Sequence, residues 1–222
     1  MSRRSNRILL WVATLIVFAF TAYSATPVEY VQTDTVEGLP ALTALEKLDV
    51  KGRAPKTGYE REQFGDGWGE SNGCDVRNVI LYRDLSDVVI NEACLVQSGT
   101  LNDPYTGERI VFERGNASAV QIDHVVALSD AWQKGAQLLS RSDRIRFAND
   151  PLNLLASDGP ANQQKGDGDA ATWLPSNKPF RCLYVTRQIA VKQKYALWVT
   201  EAESAAMRSV LQACPQQTLP TP

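Results

Sequence analysis

VQIDHVVAL, residues 120–128, decides how the chain is read. Val120, Ile122, Val125, Val126 and Leu128 are apolar. The β-branched valines and isoleucine suit a pleated surface and predict a buried strand. Within that strand stand Asp123 and His124, and His124 is the chain's only histidine. The bland reading is a core histidine whose hydrogen bonds are satisfied. The chemical reading is a proton acceptor, because an unperturbed imidazole titrates at about 6.5.

Outward from this stretch the elements alternate in type. Upstream, GTLNDPYTGERIVFERG (99–115) carries a hairpin signal, with turn residues in NDPYTG and alternation in RIVFER. ALTALEKLDV (41–50) has helical spacing at Leu42, Leu45 and Leu48, residues 51–73 are loop-like, and CDVRNVILYRDL (74–85) reads as a short helix. Downstream, SDAWQKGAQLL and RSDRIRFAND read as short helices, the second stopping at Pro151. LNLLA (152–156) is a short apolar run, and SDGPANQQKGD (157–167) is a turn with Pro160 suited to a first helical position. Cys182, Val185, Ile189 and Ala196 mark one face of a further helix. Thr200 and Glu203 have capping-box spacing, opening a last helix through Leu211. Few strands and several helices make the class α+β.

With 222 residues, 44% hydrophobic and 22% charged, the chain has the composition of a globular domain with a real core. Basic MSRRSNR, apolar ILLWVATLIVFAF and small-residue TAYSA read as a signal peptide over residues 1–25, cleaved after Ser24 or Ala25. An uncleaved membrane anchor is the alternative, and both place the rest outside the cytoplasm. Residues 26–40 read as a linker, 41–214 as the domain and 215–222 as a tail. Cys74, Cys94, Cys182 and Cys214 suit two disulfides in an oxidising compartment. Of three pairings, Cys74–Cys94 and Cys182–Cys214 are expected, because each closes a short local loop. One histidine and scattered cysteines do not make a zinc site. Without residues 1–25 the net charge is −5, so the chain does not coat nucleic acid by charge alone.

Asn153 follows His124 by 29 residues, and Asn162 follows Asn153 by nine. The order suits phosphodiester hydrolysis. That reaction needs a base that activates water near neutral pH, and a hard cation that offsets charge on the phosphate and leaving oxygen. His124 is the candidate base. Asp123 and Asn162 would offer oxygen ligands to magnesium. Asn153 would hold the loop or the imidazole, or simply cap a turn.

QIDHVVALSDAW, RFANDPLNLLASDGPANQQKGD and WLP together resemble the HNH endonucleases of the ββα-metal superfamily, and most of all a secreted bacterial branch. DPYTGERIVFERG and NGCDVRNVILYRDL also fit, so the resemblance spans roughly residues 65 to 214. It implies a core of a short β-hairpin plus a helix, surrounded by additional helices. It implies His124 as general base, Asp123 and Asn162 as metal ligands, and Asn153 as the middle, mostly structural asparagine of the catalytic motif. Asn162 stands where many members carry histidine, which favours Mg2+, or Mn2+, over softer zinc. The family's zinc-binding cysteine pairs are absent.

Lys165 reads either as a phosphate contact or as a solvated charge. Arg77 would reach the site through the Cys74–Cys94 loop. Trp132 and Trp173 read as core. Arg141, Arg144, Arg146, Lys165 and Lys178 would form a local basic patch for nucleic acid, with DNA favoured over RNA. No obligate protein partner is expected, and membrane contact only with an uncleaved N-terminus. The rival class is a secreted, non-catalytic binding module on the same scaffold.

Overall fold

The computed structural model describes residues 38–220, so the expected signal peptide and residues 26–37 of the linker lie outside the described residues. The class is α+β, with small antiparallel sheets among short helices. In chain order the elements are α1 (Ala41–Glu46), β1 (Glu70–Ser71), β2 (Cys74–Asp75), α2 (Val76–Asp84), β3 (Ser86–Ile90), β4 (Val96–Asn102) and β5 (Arg109–Glu113). There follow β6 (Val120–His124), α3 (Leu128–Trp132), α4 (Arg141–Ala148), β7 (Leu154–Asp158), α5 (Gly159–Lys165), α6 (Arg181–Lys194) and α7 (Glu201–Gln212).

Short helices need local caps, because their orphan backbone N–H groups are a large share of the whole. Asp75 caps α2 through the Asn78 N–H, Ser140 caps α4 through the Asp143 N–H, and Asp158 caps α5 through the Ala161 N–H. Pro160 sits in the first turn of α5, as its missing N–H and preset φ favour. Thr200 and Glu203 form a reciprocal capping box on α7.

The hairpin read at NDPYTG joins β4 to β5, and β3 completes that sheet. The apolar run LNLLA contributes to β7, which pairs antiparallel with β6 from Val120↔Asp158 to His124↔Leu154. The β6–β7 pair passes directly into α5, giving a two-stranded ladder followed by a helix; its strands are joined through α3 and α4 and not by the short hairpin expected.

The strand expected over residues 120–128 ends at His124. Asn153 ends it. Its carbonyl accepts from the Val125 N–H at 2.8 Å and its side-chain oxygen from the Val126 N–H at 2.9 Å. An amide side chain thus replaces the next rung of the ladder and turns the chain into α3. His124 therefore stands at a strand end, where a side chain can border a cavity, rather than mid-strand.

Two other expectations change. Within the loop-like 51–73 segment a 3-10 turn forms at Arg61–Phe64, pinned by Phe64, which packs against Trp132 and Phe147. Residues expected in the linker and tail also join the domain. Gln217 accepts from the Ala41 N–H, Leu219 donates to Leu39, and both leucines pack on the main core cluster. Among the described residues no helix is long and apolar enough to cross a membrane.

A group of charges, all but Arg53 buried, joins α3, α6 and α7 to the segments around Arg53 and Asp169. Lys134 donates to Asp130, Asp169 and Glu203 at 2.6–2.7 Å, and Lys192 reaches Glu203 at 3.0 Å. Arg53 closes the group onto Asp130 and Asp169. The three cations balance three anions, which is the condition for holding charge out of water.

The disulfides are Cys74–Cys94, between β2 and the β3–β4 turn, and Cys182–Cys214, between the start of α6 and the end of α7. Constraint of the unfolded chain across loops of this size contributes roughly 3–4 kcal/mol each. Peptide mapping without reduction is expected to recover both pairs. Replacing Cys182 and Cys214 together by serine is expected to lower the unfolding free energy by roughly 2–4 kcal/mol in urea titrations.

Candidate active site

A cavity of about 660 Å³ opens beside the end of β6. Asp123, His124, Asn162 and Arg77, four of the residues singled out from sequence, line it together. Asn153 and Lys165 do not line it.

His124 is 8% exposed and held on two sides. Its Nε2 lies 2.9 Å from the carbonyl of Ala148, at the end of α4. A carbonyl only accepts, so Nε2 carries the proton and Nδ1 keeps the lone pair. The Trp68 indole lies parallel to the imidazole, centroids 5.9 Å apart and planes 8° apart. Burial pushes the pKa of His124 down to about 3, although the Ala148 carbonyl favours the protonated ring; the charges of Arg61 and Lys165 push with burial. The ring is thus neutral at physiological pH, in the form that can take a proton.

Trp68 sits in GDGWG, residues 65–69. Gly69 docks this loop by donating to the Asn149 side chain at 2.7 Å, and a Cβ on Gly69 would stand 3.1 Å from that same side chain. The loop over His124 and the carbonyl under it are therefore both anchored at the end of α4.

Asp123 is 5% exposed. Tyr105 donates its hydroxyl to one carboxylate oxygen, and Lys165 donates to the other at 3.0 Å. Lys165 also donates to the His124 carbonyl at 2.9 Å. Burial raises the Asp123 pKa and outweighs the opposing pull of Lys165 and Tyr105. Lys165 is thus neither a solvated charge nor an exposed phosphate contact, because its whole side chain is buried against β6.

Asn162, on α5, donates its amide nitrogen to Gln121 Oε1 at 2.9 Å. Gln121 and Asp123 share a face of β6, as alternate residues of a strand do. The Asn162 amide oxygen has no hydrogen-bond partner among the described residues. Asn153 is fully buried, and its side chain bonds only to the backbone of Val126 and Phe147. It shapes the loop after His124.

The positive wall of the cavity differs from the expected patch. Arg144 is spent on Gln63 and the Leu139 carbonyl, Arg146 on Asp143, and Arg141 on Asp66. Arg77 lines the cavity with its guanidinium 5.9 Å over the Phe112 ring, and Arg61 lines it as well. Neither has an ion-pair partner among the described residues. Burial, and then repulsion from Arg114, lower the Arg77 pKa. Trp132 packs in the core and Trp173 against it, as read.

Arg61, Trp68, Tyr105 and Gln121 are functional-site neighbours that sequence reasoning passed over. A lone tryptophan between glycines in a charged loop is the one signal that would have pointed to Trp68.

Could this donor set hold the cation that the family resemblance implies? Asp123 and Asn162 supply two hard oxygens beside a cavity open to water, and each carboxylate oxygen keeps a lone pair beyond its hydrogen bond. Magnesium is commonly held by one or two protein oxygens with water and phosphate completing the shell. The set fits that ion. It does not fit zinc, which takes three or four nitrogen or sulfur ligands in its common sites.

The neutral burial of His124 also predicts a pH effect on stability. Its folded pKa, about 3, lies below its unfolded value of about 6.5. The unfolded chain therefore binds the proton first as pH falls. The contribution is fully present above about pH 6.5 and is lost on descent toward 3. In urea titrations with chelator, the wild-type midpoint is expected to fall more between pH 7 and pH 4.5 than that of His124→Gln. Equal falls would mean that His124 is not buried in neutral form.

Residues 75–210 of the chain match the family described as GmrSD restriction endonucleases, C-terminal domain. The chain is 36% identical over 205 residues to a protein of the fungus Arthroderma benhamiae named "Uncharacterized secreted protein", an alignment covering 91% of this chain and 96% of the relative. That relative is fungal, whereas the sequence signature resembled a bacterial branch. No solved structure matches.

Proposed function

The chain belongs to the family of GmrSD restriction endonuclease C-terminal domains, and we propose that it is a secreted, metal-dependent endonuclease of HNH type. The observation that carries this reading is the contact of His124 Nε2 with the Ala148 carbonyl: a carbonyl accepts only, so Nε2 donates and Nδ1 is left a neutral acceptor on a residue that lines the cavity. A buried structural histidine would have both nitrogens committed. In support, β6, β7 and α5 form an antiparallel strand pair followed by a helix, the strands joined through α3 and α4 rather than by the short hairpin expected, with Asp123 and His124 at the end of β6 and Asn162 on α5.

In this reading His124 takes a proton from water through Nδ1 as the water attacks phosphorus. The Ala148 carbonyl and the Trp68 ring fix the imidazole plane, and the carbonyl becomes a better partner as the ring gains charge. Arg77 and Arg61 orient the phosphodiester by bidentate hydrogen bonds. Mg2+, or Mn2+, held by Asp123 and Asn162 would supply charge to the phosphate and the leaving oxygen. Lys165 and Tyr105 hold Asp123 in place without blocking its remaining lone pairs. The net negative charge restricts contact to this wall, so the substrate is gripped locally. DNA is the favoured substrate over RNA. Extracellular location is supported by the relative's name and by the two disulfides.

Purified protein is to be incubated with plasmid DNA and with RNA, in magnesium and in excess EDTA. Cleavage is expected in magnesium alone. His124→Ala is expected to lower the rate by roughly 10²–10⁴-fold with the fold intact. Asn162→Ala is expected to raise the magnesium concentration needed for half-maximal rate. Full activity in EDTA would overturn the metal assignment. Binding of nucleic acid without cleavage would support the rival binding module.

A further inference from the structure

Asn116-Ala117-Ser118 is the only Asn-X-Ser/Thr triplet in the chain with X other than proline. In a secreted protein that triplet is an acceptor for N-linked carbohydrate. Chance alone produces such triplets, so the surroundings must decide.

The triplet lies in the connection between β5 and β6, and Asn116 ends a 3-10 turn. The Asn116 side chain is exposed. Its oxygen accepts from the Ser118 hydroxyl at 3.1 Å, and its nitrogen has no partner among the described residues. A hydroxyl on the amide oxygen draws electron density away from nitrogen and makes its N–H more acidic. Room is available too, since a side-chain atom added at neighbouring Gly115 would meet nothing within 4 Å. The turn itself is rigidly seated. Gly159, at the start of α5, donates to the Ala119 carbonyl at 3.0 Å, and a Cβ there would lie 2.1 Å from the Ser118 carbonyl oxygen. Ala117 and Ser118 also line the cavity that holds His124.

We infer that Asn116 carries an N-linked oligosaccharide at the rim of the candidate active site. The donor is a polyprenyl-diphosphate-linked oligosaccharide. The Asn116 amide nitrogen forms a bond to the anomeric carbon, the bond from that carbon to the diphosphate oxygen breaks with its electron pair leaving on the diphosphate, and the amide proton passes to a base of the transferase. The inference rests on the extracellular reading above, since the donor is met on the secretory route. It does not depend on nuclease activity. The sugar leaves the side chains of Asp123, His124 and Asn162 untouched and stands beside them.

The test uses the full chain, leader included, expressed in yeast and recovered from the medium. Intact mass and peptide mapping are compared before and after treatment with peptide N-glycosidase. Wild type and Ser118→Thr are expected to carry carbohydrate, which the enzyme removes, leaving aspartate at position 116. Asn116→Gln and Ser118→Ala are expected to have the mass of the bare polypeptide. Wild-type protein in the medium with unmodified Asn116 would overturn the site. Protein retained in the cells with unmodified Asn116 would overturn the extracellular reading, and the site with it.

Discussion

The ammonium of Lys165 is the constraint from which the site follows. A lysine loses its hydration when its side chain is fully buried, and it must recover that loss from fixed partners. The partners here are the Asp123 carboxylate and the His124 carbonyl, consecutive residues at the end of β6. A helix holding such a lysine can dock on β6 in one register only. One turn earlier on α5, Asn162 then comes to lie beside Gln121 and on the same cavity as Asp123. The Tyr105 hydroxyl, from the β4–β5 turn, completes the carboxylate's partners. Three elements distant in sequence thus converge because one positive charge has nowhere else to be neutralised.

Reactivity and stability pull against each other at His124. An imidazole exposed to water would cost the fold nothing, but its plane and tautomer would be free. The buried ring is fixed by a carbonyl on one edge and an indole on one face, and its positive form is disfavoured. Catalysis would create that form transiently, so an approaching phosphate with its negative charge is the natural compensation.

What could be read from sequence was what is local. The Thr200–Glu203 capping box, Pro160 in the first turn of α5, the turn at NDPYTG and the two short disulfide loops follow from neighbours close along the chain. The Asp123, His124 and Asn162 constellation was legible because its order along the chain survives as proximity in the fold. The misread parts depend on contacts across the chain. Nothing near residue 125 announces that Asn153 will end the strand. Lys165 looks like any surface lysine until Asp123 is placed against it. Residues 215–220 look like a tail until Leu219 and Leu39 are seen packing on the same core. Trp68 lies more than fifty residues before the histidine it covers, in a loop whose docking point, Asn149, lies further on still.

The charged group of Lys134, Lys192, Arg53, Asp130, Asp169 and Glu203 bears on the temperatures at which the molecule works. Hydration of ions becomes less favourable as water warms, so the cost of keeping Lys134, Lys192, Asp130, Asp169 and Glu203 dry shrinks on heating, while hydrophobic gain per unit area levels off. The group ties the segment after α1 to α3, α6 and α7, and its relative contribution grows where apolar packing contributes least. The charged interior is thus a reserve whose relative weight strengthens with heat.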